Sequence, residues 1–327
     1  MSTTGNEGVG GDRQGAALRP YSKPWLSLRQ QLELLRSRGL GIDRAWHAEQ
    51  LLAHLNYYRL SGYCLAFEAE RHRFLDGARV EDVEAAHAFD VALRGWLDQA
   101  LEAVEVDLRA TIASAFGRMH GPFGHCDATR FHAQRGVASG FVHSEWIRRA
   151  RLETVRSREA FVKHFRMHYS EYPDLPIWML TEVLSFGALS KMYAGLGRED
   201  QRAIASRYGI QPRFLQSWLH HLVCVRNICA HHGRVWDRVW SVKPQLPPHA
   251  LWLPPAVPSN ERPYATMLIL LHLIRRITAQ RDAAESWRRG VVRLLAMPPR
   301  VEGARALLGM PEGWESDPRW RGESHSG

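Results

Sequence analysis

The stretch EDVEAAHAFDVALRGWLDQALEAVEVDLRATIASAFGR, residues 81–118, decides the fold. Its apolar residues Phe89, Leu93, Leu97, Leu101, Val104, Leu108 and Ile112 recur at steps of three and four, the spacing of one face of an α-helix. A stripe sustained over so many turns suits the spine of a helical bundle. Helical periodicity continues on both sides of it, and no segment shows convincing strand alternation. Upstream, Ser27-Leu28-Arg29-Gln30 is a capping-box pattern ahead of Leu32, Leu34 and Leu35, with Gly39 as the stop. A second helix is expected from near Asp43 to the Tyr57-Tyr58 pair, and a small hairpin around the Asp76-Gly77 turn. Downstream, the Gly-, His- and Phe-rich residues 121–140 read as a loop. Helices are expected at 144–169, 176–195 (opened by Pro176), 199–208 and 212–230. Residues 241–262 hold six prolines and cannot form regular helix. The predicted class is all-α. Its parts are a flexible tail over 1–20, an N-terminal helical region over 21–80 and a main helical domain over 81–240. The proline-rich loop 241–262, a C-terminal helical extension over 263–308 and a second flexible tail over 309–327 complete the chain.

The 327 residues include 43 Lys+Arg against 34 Asp+Glu, a formal net charge of +9. With 45% hydrophobic and 24% charged residues the chain can bury a core, which excludes wholesale disorder. The most apolar stretch, MLILLHLI at 267–274, is far shorter than the roughly 20 residues a membrane helix needs. Residues 1–20 lack the apolar core of a signal peptide, so the four cysteines are expected to be reduced and the protein cytoplasmic. Lysine appears only at Lys23, Lys163, Lys191 and Lys243, the other basic residues being arginine. Arginine forks suit phosphate and base stacking, whereas GC-rich coding accounts for the same bias without any ligand.

Residues 215–240, LQSWLHHLVCVRNICAHHGRVWDRVW, carry the chemistry. On a helical wheel Leu215, Trp218, Leu219, Leu222, Val225 and Cys229 fall within about 120°, and Arg226 falls inside the same arc. A guanidinium there needs either a buried carboxylate or a ligand's phosphate. His231 and His232 follow, with Gly233 as the expected helix stop. On a regular helix His231 points about 140° away from Arg226. Either the helix loosens at Ala230, or the two groups meet across a two-fold axis in a homodimer.

The segment Arg226-Asn227-Ile228-Cys229-Ala230-His231 matches the R-N-x-x-x-H signature of the HEPN superfamily of RNases. The wider chain resembles its abortive-infection branch, the AbiD/AbiF-like proteins of bacterial anti-phage defence. The blocks that carry this likeness are Lys23-Pro24-Trp25-Leu26-Ser27, Asn56-Tyr57-Tyr58-Arg59-Leu60-Ser61-Gly62-Tyr63, Phe89-Asp90 with Leu93-Arg94, Leu175-Pro176-Ile177-Trp178, Glu182 through Ser190, and Arg226 through His232 with Trp236. They span about residues 23–240. The resemblance implies a HEPN-like bundle with added N- and C-terminal helices, and a homodimeric endoribonuclease without metal or other cofactor. It implies Arg226, Asn227 and His231 as catalytic residues. RNA supplies its own nucleophile, the 2′-hydroxyl. An imidazole can move the protons, and a guanidinium can hold the phosphate. Silence until infection, or until an inhibitory partner is displaced, is part of the same expectation. The alternative is a non-catalytic RNA-binding protein on the same fold, holding a small structured RNA.

Glu182, Ser185 and His232 are candidates for support, Glu182 as a partner for Arg226 or as a solvated residue. Glu102, Glu105 and Arg109 read as an ion-pair ladder along one helix. Tyr57, Tyr58 and Arg59 are candidate RNA contacts, with burial of Tyr57, Tyr58 and Tyr63 in the core as the competing use. The histidines and cysteines of 220–232 lack zinc-site spacing, so no metal is expected. The basic runs at Arg148-Arg149-Arg151 and Lys163–His168 read as solvated faces or a groove.

Overall fold

Ser27 opens the first helix as its pattern predicts: its hydroxyl accepts the Gln30 N–H at 3.3 Å while Gln30 Oε1 accepts the Ser27 N–H at 2.9 Å. The computed structural model describes residues 20–132, 141–277 and 281–321. Helices α1 (Leu28–Ser37), α2 (Ala45–Leu55) and α3 (Tyr57–Cys64) form an N-terminal layer, followed by a short hairpin of β1 (Glu68–Glu70) and β2 (Arg73–Phe74). The single helix expected from Asp43 to Tyr58 is two, because Asn56 adopts φ +67° and its side chain caps the Tyr58 N–H. The hairpin turns at Arg71-His72, where Glu68 accepts the His72 N–H at 2.9 Å, and not at Asp76-Gly77.

Helix α4 (Val80–His120) is the spine. Its predicted stripe is buried from Val83 to Phe116, and seven helices pack around it. They are α3, α7 (Ile177–Val183), α8 (Phe186–Gly195), α9 (Arg198–Arg207), α10 (Pro212–Ala230), α11 (Pro263–Ile274) and α12 (Arg281–Leu295). Between α4 and α7 lie α5 (His143–Arg156) and α6 (Ala160–His168), so the expected 144–169 helix breaks at Ser157. The expected 176–195 helix breaks at Ser185, whose N–H and hydroxyl both go to Glu153 on α5. The class is all-α, with one two-stranded sheet among the described residues.

The C-terminal extension belongs to the same core. Every residue of α11 except His272 is buried, as an all-round apolar helix requires, and no described helix is long and apolar enough to cross a membrane. The proline-rich loop is tied to α10 by the Trp218 indole N–H on the Gln245 carbonyl at 2.8 Å. Residues 309–321 are folded where a loose tail was expected. Beyond α13 (Ala304–Leu308), α14 (Pro318–Arg321) packs on α12; Trp314 and Trp320 are buried, and Trp320 donates to the Tyr264 hydroxyl at 3.0 Å. The aromatic content of that segment outweighs its glycines and prolines. Residues 1–19 and 322–327 of the expected tails, and 133–140 of the expected loop, lie outside the described residues.

His221 on α10 makes this core acid-sensitive. Its Nδ1–H donates to the Val242 carbonyl at 2.7 Å, and its Nε2 accepts from the Thr266 hydroxyl at 2.9 Å. Burial pushes its ionisation down to about 4. The unfolded chain takes up this proton below about pH 6.5, so stability falls as the pH drops from there toward 4. By pH 5 the loss is about 2 kcal/mol from this residue. His221→Asn keeps a donor near Nδ1 and cannot titrate. Urea unfolding at pH 7 and pH 5 is therefore expected to show a smaller pH difference in His221→Asn than in the parent protein; an unchanged difference contradicts the assignment.

Candidate functional site

Helix α10 begins with Pro212 in its first turn and runs without interruption to Ala230, so the helix does not loosen ahead of His231. His231 is its C-cap, with φ −94° and ψ 15°, and donates its N–H to the Asn227 carbonyl at 3.1 Å. The next N–H groups, of His232 and Gly233, go to the carbonyls of Cys229 and Ile228, both at 2.8 Å. This pair of bonds is a Schellman closure. Its left-handed residue is His232, with φ +54°, and not the glycine expected there. Holding a non-glycine residue in that region costs on the order of 1 kcal/mol, a cost found where surrounding structure fixes the backbone. Gly233 is needed for closeness instead: a Cβ there meets the Ile228 side chain at 3.0 Å.

The rings of His231 and His232 are exposed, and no described residue hydrogen-bonds to either. Asn227 is exposed as well. Arg226 is half-buried, its side chain 32% exposed, and faces α4. Its Nε lies 3.9 Å from Glu105 Oε2, a loose ion pair without a hydrogen bond, and this Nε is buried and unpartnered among the described residues. The other Glu105 oxygen accepts from Arg109 at 2.5 Å, so the expected ladder pair forms and the same carboxylate also faces Arg226. Glu182 is exposed and is not the partner of Arg226; Ser185 caps α8 and bonds Glu153. Glu182 thus takes the solvated position that was its other expected use, and the helix on which it was to share a face with Ser185 is broken between them.

Behind the turn sits a residue to which the sequence assigned no role. Asp90 on α4 is fully buried and accepts from the Val235 N–H at 2.9 Å, the Trp236 N–H at 2.8 Å and the Tyr63 hydroxyl at 2.7 Å. Arg94, one turn along, pairs with Asp90 and donates to the Gly233 carbonyl at 3.3 Å. From α3, Arg59 donates to the His232 carbonyl at 2.7 Å. Burial, reinforced by the Asp90 carboxylate, pushes the Tyr63 hydroxyl up to about 12, so it stays a donor. Two separate blocks of sequence, on α3 and α4, thus hold the backbone that carries the two histidines. The signal was present: Asp90 falls between Leu97 and Leu101 on the α4 wheel, in the middle of the buried stripe.

Tyr57, Tyr58 and Arg59 divide their tasks. Tyr58 is 70% exposed, Tyr57 is half-buried and accepts from Arg38 at 2.8 Å, and Tyr63 is core. Tyr57 and Tyr58 line a groove of about 880 Å³ with Trp25, Lys23, Arg38 and Arg71. Arg59 points the other way, to the histidine turn. Arg148, Arg149, Lys163 and Arg166 are exposed, and Arg151 is bound in a fork to Asp174 at 2.7 and 2.9 Å.

Cys229 is buried, and burial with Asp98 nearby pushes its thiol up to about 12; burial also raises Cys224. Neither is the low-pKa thiol of a reactive site. No group of three or more His, Cys, Asp or Glu among the described residues is placed to hold a metal ion. A family model described as "Abi-like protein" matches residues 50–237, the span from α2 to just past the histidine turn. Comparisons with curated proteins and with solved structures return no match.

Proposed function

Because the chain belongs to the Abi-like protein family, we propose that it serves abortive-infection defence against phage as a metal-independent endoribonuclease of HEPN type, acting as a homodimer in the cytoplasm. The observation that carries this reading is the end of α10. There two exposed imidazoles stand on a backbone fixed by Asp90, Arg94 and Arg59, and five residues ahead of His231 a half-buried guanidinium keeps an unspent donor. A reactive group on a backbone held by buried bonds is preorganised.

Within one chain Arg226 turns toward Glu105 while His231 is exposed at the C-cap, so the pair is completed by a second copy. In the dimer one His231 takes the proton of the RNA 2′-hydroxyl, whose oxygen attacks the adjacent phosphorus. Arg226 stabilises the added charge on the phosphorane through its N–H fork. His231 of the second copy gives its proton to the departing 5′-oxygen. Products are a 2′,3′-cyclic phosphate and a 5′-hydroxyl. Asn227, on the exposed side, hydrogen-bonds the phosphate or holds the imidazole in one tautomer, and His232 fixes the turn.

The test is end-group analysis of single-stranded RNA incubated with purified protein in EDTA. Undiminished cleavage with 2′,3′-cyclic ends is expected, whereas 5′-phosphate ends or metal dependence contradict the reading. The exposed aromatic groove at Trp25 and Tyr58 favours a second reading, a non-catalytic RNA-binding protein. RNA binding and growth arrest that both survive in His231→Ala decide for it.

A further inference from the structure

A second concave surface lies at the opposite end of α10 from the histidines. A cavity of about 810 Å³ opens between α8, α9, the first half of α10 and the proline-rich loop. Its titratable lining is Lys191, Arg198, Arg202, Arg213 and His220, with no carboxylate among the lining residues. The four fixed cations are exposed, and none has an ion-pair or hydrogen-bond partner among the described residues; Arg213 only stacks over Phe214 at 4.5 Å. Elsewhere on the molecule the arginines near α4 are matched with acids, as Arg94, Arg109 and Arg207 are with Asp90, Glu105 and Asp107. Four unmatched cations around one cavity repel each other and create a focused positive potential, which an anion relieves. The α10 N-terminus adds its partial positive charge there, since Gln211 provides no side-chain cap.

The cavity is also connected to the histidine turn. On the α10 wheel Arg213, Gln216, His220, Asn227 and His231 all fall within about 60°, and every one is exposed or half-exposed. This polar strip runs about 27 Å along the helix axis, from the cavity mouth to His231. No acidic side chain interrupts it within α10.

We infer that the cavity lined by Lys191, Arg198, Arg202 and Arg213 is a distal phosphate-binding subsite for single-stranded RNA, whose backbone follows the exposed strip of α10 to His231. The inference rests on the endoribonuclease reading for what happens at the far end of the strip. Cations this far from the cut hold the chain without touching the reacting atoms, so they set which lengths of RNA are retained.

The experiment is equilibrium binding and cleavage with labelled single-stranded RNA of two lengths, about 4 and about 20 nucleotides. Three proteins are compared: the parent, Arg198→Glu/Arg202→Glu, and Arg148→Glu/Arg149→Glu on α5 as a control of equal charge change. Binding is read in the His231→Ala background, so that the RNA stays intact, and cleavage in the parent background. The cavity variant is expected to bind the long RNA at least tenfold more weakly than the control, and its salt slope to shrink by about 1.4, or 0.7 per lost phosphate contact. Its cleavage of the short RNA should match the control. Equal binding of the long RNA by the two variants, or equal weakening for both lengths, overturns the subsite while leaving the nuclease reading intact. Weakened long-RNA binding by the cavity variant, together with a parent protein that leaves both RNAs uncut, upholds the subsite and rejects the nuclease reading. If the parent binds neither RNA, both fail.

Discussion

His231→Ala is expected to lower RNA cleavage by 10²–10⁴-fold, the usual contribution of a positioned general acid or base, and to relieve growth arrest on induced expression. Its folding stability should stay within about 0.5 kcal/mol of the parent, because the ring is exposed and makes no described hydrogen bond. Arg226→Ala is expected to lose activity to a similar degree, since it removes the only group of the three that stays charged throughout the reaction. Arg226→Lys should rescue little. An ammonium cannot reproduce the fork that grips two phosphate oxygens. Glu105 keeps Arg109 in either variant, so the core beneath the site has no reason to rearrange. Growth curves and thermal melts of the three variants check the pair of statements together. A variant that remains toxic, or one that is inactive only because it has unfolded, goes against them.

Asp90→Ala is expected to have the largest effect on stability. It strips the shared acceptor from the Val235 and Trp236 N–H groups and the Tyr63 hydroxyl, and leaves the Arg94 guanidinium buried without its counter-charge. Removing one partner of such a buried pair costs about 3–5 kcal/mol. At roughly 2–4 °C per kcal/mol for a chain of this order of size, the melting midpoint should fall by about 10 °C. Asp90→Asn retains one carbonyl oxygen for the backbone donors and should cost less. Because the same carboxylate anchors the segment just after His231, cleavage should also drop at temperatures where Asp90→Ala is still folded. A melt within 2 °C of the parent would show that the turn is held by other means.

The spine, α9 and α10 were legible from apolar spacing and proline placement to within a residue or two, because their buried faces follow a simple 3.6-residue period. The breaks at Asn56, Ser157 and Ser185 were not. Each depends on polar groups that periodicity ignores: the Asn56 amide on Tyr58, the Ser157 hydroxyl accepting the Glu159 N–H, and Glu153 reaching Ser185 from another helix. Of the site, the residues at the end of α10 were readable, as was the need for Arg226 to find a partner. That partner being Glu105 rather than Glu182 depends on which helix packs on α10, which no local pattern encodes. Asp90 was readable in principle as a carboxylate in the middle of an apolar stripe. The cationic cavity was not, because Lys191, Arg202 and Arg213 come from three helices and meet only in the folded chain.

Mixed dimers put the composite site to its sharpest trial. Parent and His231→Ala chains are combined over a range of ratios, and release of 2′,3′-cyclic ends from single-stranded RNA is followed in EDTA. If each cut needs the imidazole of both copies, activity falls as the square of the parent fraction. A fall in direct proportion to that fraction means that one imidazole suffices for each cut, and the mechanism with His231 of both copies is then ruled out.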